Sequence, residues 1–338
     1  MSPLGRLRWQ KFKQHKRGYW SLWIFTGLFA LSLCAEVLVN NKPVMVSYQH
    51  SLYFPVIKDY PETTFGGEFE TAADYRDAYV RGLIEKNGWM LWPPVRFNHQ
   101  TINYDLTVPA PAPPSHDNWL GTDDQGRDVV ARLIYGFRIS VLFALTLTVF
   151  SSVIGIVAGA LQGYYGGHVD LFGQRFIEIW SGLPVLFMLI ILSSLVEPNF
   201  WWLLGLMLLF SWTELTGLVR AEFLRGRNLE YVRAARALGL TDGQIMFRHI
   251  LPNAMVSTLT FLPFIFTGAI GVLTSLDFLG FGLPPGSASL GELVAQAKNN
   301  LSAPWLGLSS FVTLSVMLTL LVFIGEAARD AFDPRKSV

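Results

Sequence analysis

The chain has 338 residues, of which 51% are hydrophobic and only 15% charged, with a formal net charge of +1. Soluble domains carry about 25% charged residues, so this composition excludes an ordinary soluble protein and points to a membrane. The single cysteine, Cys34, excludes an internal disulfide and a Cys-based zinc site, and nothing in the charge balance calls for a nucleic acid.

A bilayer core of about 30 Å takes roughly 20 apolar residues in helical form, and a helix leaves no backbone polar group unpaired in lipid. Six stretches meet or approach that length: Trp20–Val39, Ile139–Leu161, Ile177–Val196, Phe200–Val219, Val256–Leu276 and Leu306–Ile324. The expected fold class is an all-α integral membrane protein with six transmembrane helices. The first run is too long for a signal-peptide core and no small-residue cleavage site follows it, so it reads as an anchor. With the N-terminus inside, sixteen Lys and Arg fall in the inner tails and loops. The short outer loops, near Pro198 and from Asp277 to Trp305, hold one, Lys298. That asymmetry places both termini in the cytoplasm. The resulting order is a basic tail (1–19), the first span (20–39), an extended external segment (40–135), a five-helix core (136–330) containing the basic loop 220–253, and a short tail (331–338).

In the external segment "TVPAPAPP" (Thr107–Pro114) is a stiff spacer. In "GTDDQGRDVVARLIYGFRIS" (Gly121–Ser140), Thr122 or Asp123 can cap a helix. Val129, Val130, Leu133, Ile134 and Phe137 then lie opposite Arg127, Asp128 and Arg132. The expectation is an amphipathic helix on the outer surface, either a plain anchor or a gate. Gly155, Gly159 and Gly163 recur one turn apart in the second span, which lets another helix approach closely. Pro184 and Pro263 interrupt the third and fifth spans; such kinks either line a pathway or shape the bundle. Glu178, Glu214, Asp277 and Glu326 stand at or within span ends. Glu214 is the deepest, a candidate for the substrate pathway, its plainer role being an interhelical hydrogen bond.

The loop between the fourth and fifth spans is more punctuated than a connection needs. In "RNLEYVRAARALGLTDGQIMFRHILPN", Asn228 can cap a helix whose first turn carries Glu230. Tyr231, Ala234, Ala235 and Leu238 form one small-to-apolar stripe, and Gly239 provides a left-handed stop. Thr241 and Gln244 then fit a capping box, opening a second helix that ends before Pro252. A loop resting on lipid accounts for the arginines. The alanines favour close approach to another protein surface.

This segment resembles the EAA loop of ABC importer permeases, with Ala234, Ala235, Gly239, Leu251 and Pro252 at the matching spacing. Arg233 stands where the pattern has Glu and His249 where it has Ile, as in the oligopeptide/dipeptide/nickel branch. The stretches "LGTDDQGRDVVARLIYGFRIS", "LDFLGFGLPP" and "GEAARDAFDPR" are also similar to that branch. The resemblance implies a type I ABC importer permease fold and an inner-membrane location, with residues 40–135 periplasmic. The implied partners are a second permease, cytoplasmic ATPase subunits and a periplasmic solute-binding protein. It also implies docking of an ATPase on Glu230, Tyr231, Ala234, Ala235, Gly239 and Leu240. The cargo it implies is oligopeptides or peptide-like compounds. The chain has no Gly-Lys pair and therefore no phosphate cradle of the form G-x-x-x-x-G-K-[ST]. ATP and Mg are expected in the partner, with no catalytic residue, cofactor or metal here. The alternative is a stand-alone secondary transporter or channel.

Overall fold

The computed structural model describes residues 3–196, 199–284 and 286–332. The loop at Pro198, Pro285 of "LDFLGFGLPP" and the tail from 333 lie outside the described residues. In chain order come helices α1 (Pro3–Gln14), α2 (Lys16–Leu33) and α3 (Ala35–Leu38), then strands β1 (Met45–Tyr48) and β2 (Ser51–Tyr53), helix α4 (Ala78–Asn87) and strand β3 (Gly88–Leu91). The rest is helical: α5 (Val129–Tyr165), α6 (Gly167–Ser181), α7 (Val185–Ser193), α8 (Phe200–Ser211), α9 (Thr213–Gly226), α10 (Glu230–Ala237), α11 (Asp242–Gln244), α12 (Leu251–Phe278), α13 (Leu290–Asn299) and α14 (Pro304–Phe332). The fold is thus mostly helical rather than all-α.

Among the described residues four helices are long and apolar enough to cross a membrane: Val129–Tyr165, Phe200–Gly226, Asp242–Phe278 and Pro304–Phe332. The pair α6 and α7, bent by 70°, makes a fifth if it is one span. Pro184 breaks that pair, because it has no N–H to donate and drives Leu183 out of the helical region. Pro263, by contrast, lies inside an unbroken α12. The expected first span is not among the five. Helix α2 has 18 residues, opens on Lys16 and Arg17, and ends at Leu33. Ala35 and Val39 beyond it are buried with Val95, Phe97, Ala131 and Tyr135, so packing takes these residues away from the helix that their hydropathy suggests.

The chain divides into two compact units. The second unit joins Gly27–Ser140 with Pro285–Leu314. Its sheet has the order β2-β1-β3, antiparallel throughout, with Val46 opposite Tyr53 and Met90. Val46 and Tyr48 point inward at period two. They meet the fully buried Phe65, whose ring also packs edge-on against Tyr53, Tyr60 and Tyr75.

Elsewhere in this unit the expected surface helix takes another form. Thr122 and Asp123 cap nothing; the helix starts at Val129 and continues as α5. Its supposed polar face is buried: Asp123, Arg127, Asp128 and Arg132 are all at most 2% exposed. Arg127 donates to Asp123 (2.6 Å) and to Glu292 (3.0 Å), and Arg132 donates to Glu292 (2.8 Å) and to the Ser287 carbonyl (2.9 Å). Asp123 also accepts from the Gln125 and Arg127 amides. Asp128 accepts from Asn118 (2.8 Å) and the Ala131 amide (2.8 Å). Buried charge survives only when it is paired and hydrogen-bonded in this way.

The first unit comprises Met1–Thr26, Val141–Pro284 and Ser315–Val338. Gly155, Gly159 and Gly163 lie against α9. A Cβ at these positions would stand 2.7 Å from the Trp212 carbonyl oxygen, 2.6 Å from that of Thr216 and 2.5 Å from that of Arg220. Only glycine permits backbones this close.

Candidate functional site

The basic loop folds into an elbow whose first arm is α10. Asn228 does not cap it. The residue before the helix is Leu229, and the Asn228 side chain donates its Nδ2 instead to the Leu224 carbonyl. The arm ends in a left-handed turn, with Gly239 at φ +81°. The Gly239 amide bonds to the Arg236 carbonyl (3.0 Å) and the Leu240 amide to that of Ala235 (3.2 Å), the paired bonds of a Schellman stop. At the second arm Thr241 and Gln244 close a reciprocal capping box.

That arm does not end before Pro252. A π-helical stretch, Ile245–Ile250, leads directly into α12, so Asp242–Phe278 runs as one helix. Proline clashes with the carbonyl four residues back and lacks a donor. Widening the preceding turn, with the Leu251 amide reaching the Met246 carbonyl, accommodates both defects.

Burial divides the expected docking stripe. Val232 and Ala235 face inward (0% and 5% exposed) and, with Leu240 packed alongside, join a core containing Ala160, Tyr164, Val219, Phe223, Ile250 and Ala254. Glu230, Tyr231, Ala234 and Leu238 face outward, Tyr231 at 41% and Leu238 at 81% exposure. Arg233 is exposed as well. Tyr231 ties the two arms together: its hydroxyl donates to the His249 carbonyl (3.4 Å) and accepts from Asn253 (3.2 Å).

Polar anchors that sequence reasoning missed fasten the elbow to the spans. The Tyr164 hydroxyl, at the end of α5, donates to Asp242 (2.5 Å) and accepts from Arg236 (3.3 Å). Arg227 donates to the Tyr164 carbonyl (3.2 Å). Arg220, which stands six residues after Glu214, pairs with Asp170 through both of its oxygens. These contacts join residues far apart in the chain, so no local spacing announces them.

Glu214 makes no hydrogen bond or ion pair among the described residues. It lines a cavity of about 180 Å3 with Trp180, Phe210, Thr213 and Ile265, and the interhelical bond expected of it is not formed. Asp277 is buried and accepts from the Leu283 amide (2.8 Å), fixing the turn after α12. Among the described residues no group of three His, Cys, Asp or Glu side chains could hold a metal ion.

Residues 151–338 match the family described as "Binding-protein-dependent transport system inner membrane component". The chain is 61% identical to the inner membrane ABC transporter permease protein YejE of Escherichia coli (strain K12), covering 100% of this chain and 99% of that protein. It is 57% identical to the peptidoglycan transport system permease protein YejE of Agrobacterium fabrum (strain C58 / ATCC 33970), covering 99% and 94%. The oligopeptide transport system permease protein OppC of Lactococcus lactis subsp. lactis (strain IL1403) is 36% identical, covering 67% and 78%. Among solved structures, a chain of the MetNI methionine ABC transporter in an inward facing conformation shares the fold, with a TM-score of 0.50 and 17% identity, over 59% of this chain and 96% of that one.

Proposed function

The chain belongs to the binding-protein-dependent transport system inner membrane components and is an ABC transporter permease, not the ATPase; from that premise we propose that it moves oligopeptides or peptide-like compounds, peptidoglycan fragments among them, across the inner membrane. It works beside a second permease, with cytoplasmic ATPase subunits that use ATP and Mg and a periplasmic solute-binding protein. Helix α2 completes six spans, and both termini lie in the cytoplasm. The relatives named for peptidoglycan and oligopeptide transport support the cargo class. They give no support to a stand-alone secondary transporter.

The observation that carries this reading is a short helix stopped at its C-terminal end, exposed on one face and locked to the spans on the other. Glu230, Tyr231 and Ala234 offer the outer face to the ATPase. Ala235 and Leu240 hold the arm from within, and the left-handed Gly239 ends it. When two ATPases close around ATP, the push on α10 passes through Val232 and Ala235 into the core shared with α5 and α9. It also passes along the unbroken helix Asp242–Phe278. A stiff element with two resting positions transmits displacement that a floppy loop would absorb.

The two alanines test the division. Ala234→Glu should leave folding and thermal stability unchanged while abolishing co-purification of the ATPase and lowering uptake by at least tenfold. Ala235→Glu should instead destabilise the protein, because it buries an unpaired carboxylate. Full uptake and an intact complex with Ala234→Glu would overturn docking at this face.

A further inference from the structure

No acidic residue precedes Glu36, so Arg6, Arg8, Lys11, Lys13, Lys16 and Arg17 have no neighbour of opposite sign at the start of the chain. Folding brings little relief. None of these cations forms an ion pair among the described residues, unlike Arg225, which Glu222 engages at 2.9 Å. Arg8 lies over the Phe332 ring at 4.8 Å from the centroid and Lys13 over Trp9 at 5.6 Å, contacts that leave their N–H groups unspent. Lys16 and Arg17 open α2, where the helix dipole disfavours a cation. Lys13, Lys16 and Arg17 are all exposed.

These charges are held in place by packing. Phe12 is buried with Ala327 and Ala331 of α14, and Trp9 and Tyr19 pack against them. A Cβ on Gly18 would stand 2.1 Å from that of Ala327 and 2.7 Å from the Phe323 carbonyl oxygen, so glycine alone lets α2 lie this close to α14. On α2, Lys16, Trp20 and Ile24 recur at helical spacing with Trp23 beside them, and Trp20, Trp23 and Ile24 are 63%, 52% and 49% exposed. One uncovered stripe is thus apolar along the helix and charged at its start. With a rise of 1.5 Å per residue, Lys16 stands about 6 Å from Trp20 along the axis. Tryptophan collects at the headgroup level of a bilayer, which puts the cations at the depth of the phosphates.

We propose that Lys13, Lys16 and Arg17 bind the phosphate headgroup of an anionic phospholipid, with Trp20 and Trp23 against the glycerol and upper chains of the same molecule. The occupant is a lipid because the charged and apolar parts of the stripe are continuous: what covers Trp20 and Ile24 also reaches Lys16. Lysine and arginine beside an anionic leaflet are each attracted to it, and the attraction fades within a Debye length. The lipid supplies the counter-charge that the chain does not, at the corner where α1 and α2 meet the end of α14. The inference rests on α2 being a span, as read above; it does not depend on the cargo or on the ATPase.

The test delipidates the full chain in neutral detergent and titrates it with phosphatidylglycerol and with phosphatidylcholine of the same acyl chains, counting bound lipids by native mass spectrometry. Phosphatidylglycerol should bind about fivefold more tightly or better. The variant K13Q/K16Q/R17Q should bring the two lipids to nearly equal affinity, and the charge-keeping K13R/K16R/R17K should retain the preference. K58Q/K86Q, which removes exposed cations elsewhere, should leave it unchanged. If K13Q/K16Q/R17Q does not fold, the three single glutamine variants decide, each lowering the preference part of the way. Equal affinity for the two lipids in the wild type, or a full preference in a folded K13Q/K16Q/R17Q, would overturn the site. Displacement of bound phosphatidylglycerol by poly-glutamate at equal charge would reassign the face to an acidic protein and overturn the lipid. No ATPase or cargo is present, so these outcomes leave the transport reading where it stands.

Discussion

Two stretches of this chain are written in the same vocabulary of glycine, arginine and acid, and they meet opposite fates. In Glu230–Asn253 the arginine at 233 and the acid at 230 stand exposed on a helix with a glycine stop. In Leu120–Ser140 the arginines at 127 and 132 are buried in a knot with Asp123. The difference is one side chain from elsewhere. Glu292 lies 165 and 160 positions from the two arginines and binds both. Where no distant acid arrives, a cation cannot be buried and stays at the surface, free for a partner; where one does, charge becomes a fastening.

The contrast can be broken most forcefully at the knot. Asp123→Asn removes a buried carboxylate that serves both arginines and should cost about 3–5 kcal/mol, read as a large drop in melting temperature of the purified protein. No exposed charge of the elbow should cost comparably; Glu230→Gln is the matching control. Next comes the close contact beneath the elbow. Gly163→Leu places a Cβ 2.5 Å from the Arg220 carbonyl oxygen and should cost about 1–3 kcal/mol by forcing α5 and α9 apart.

Gly239→Val sharpens the comparison from the other side. A Cβ there meets nothing within 4 Å, so the penalty is conformational alone, about 1–2 kcal/mol for a left-handed residue. Its larger consequence should be functional, with ATP hydrolysis continuing in reconstituted vesicles while transport falls. Unchanged coupling would remove the rigid stop from the mechanism.

The smallest expected effect is a pH dependence confined to the second unit. His99 is pushed down to about 4 by burial and then by Arg132, Arg138 and Arg127, from an unfolded value near 6.5. Above pH 6.5 the imidazole is neutral in both states. As pH falls from 6.5 to 4, the unfolded chain takes up a proton that the folded one refuses, so stability declines across that window and levels off below it. A His99→Gln variant should show a shallower decline when melting temperature is followed over the same range.

Much of the elbow was legible because its signals are local. A left-handed glycine and the Thr241–Gln244 box involve residues at most five apart, and their geometry follows from adjacent backbone. The 3.6-residue period gave the stripe Tyr231–Ala234–Ala235–Leu238, but period alone does not rank its members. The core beneath α10 took Ala235 together with Val232 and left Leu238 in solvent. The stop expected at Pro252 failed for a similar reason, since a π turn can absorb a proline that an α turn cannot.

By itself the sequence determined that this is a membrane protein with long apolar helices, where its glycine stops and glycine-lined contact face fall, and that it has no phosphate cradle of its own. Those properties depend on composition and on neighbours within a turn or two. Only the tertiary structure decided which charges are buried, that Tyr164 anchors Asp242, and that the hydropathy-defined first span gives up Ala35 and Val39 to another core. Each of those outcomes is a pairing between residues distant in the chain, where the cost of burying a polar group is met or left standing according to what folding brings beside it.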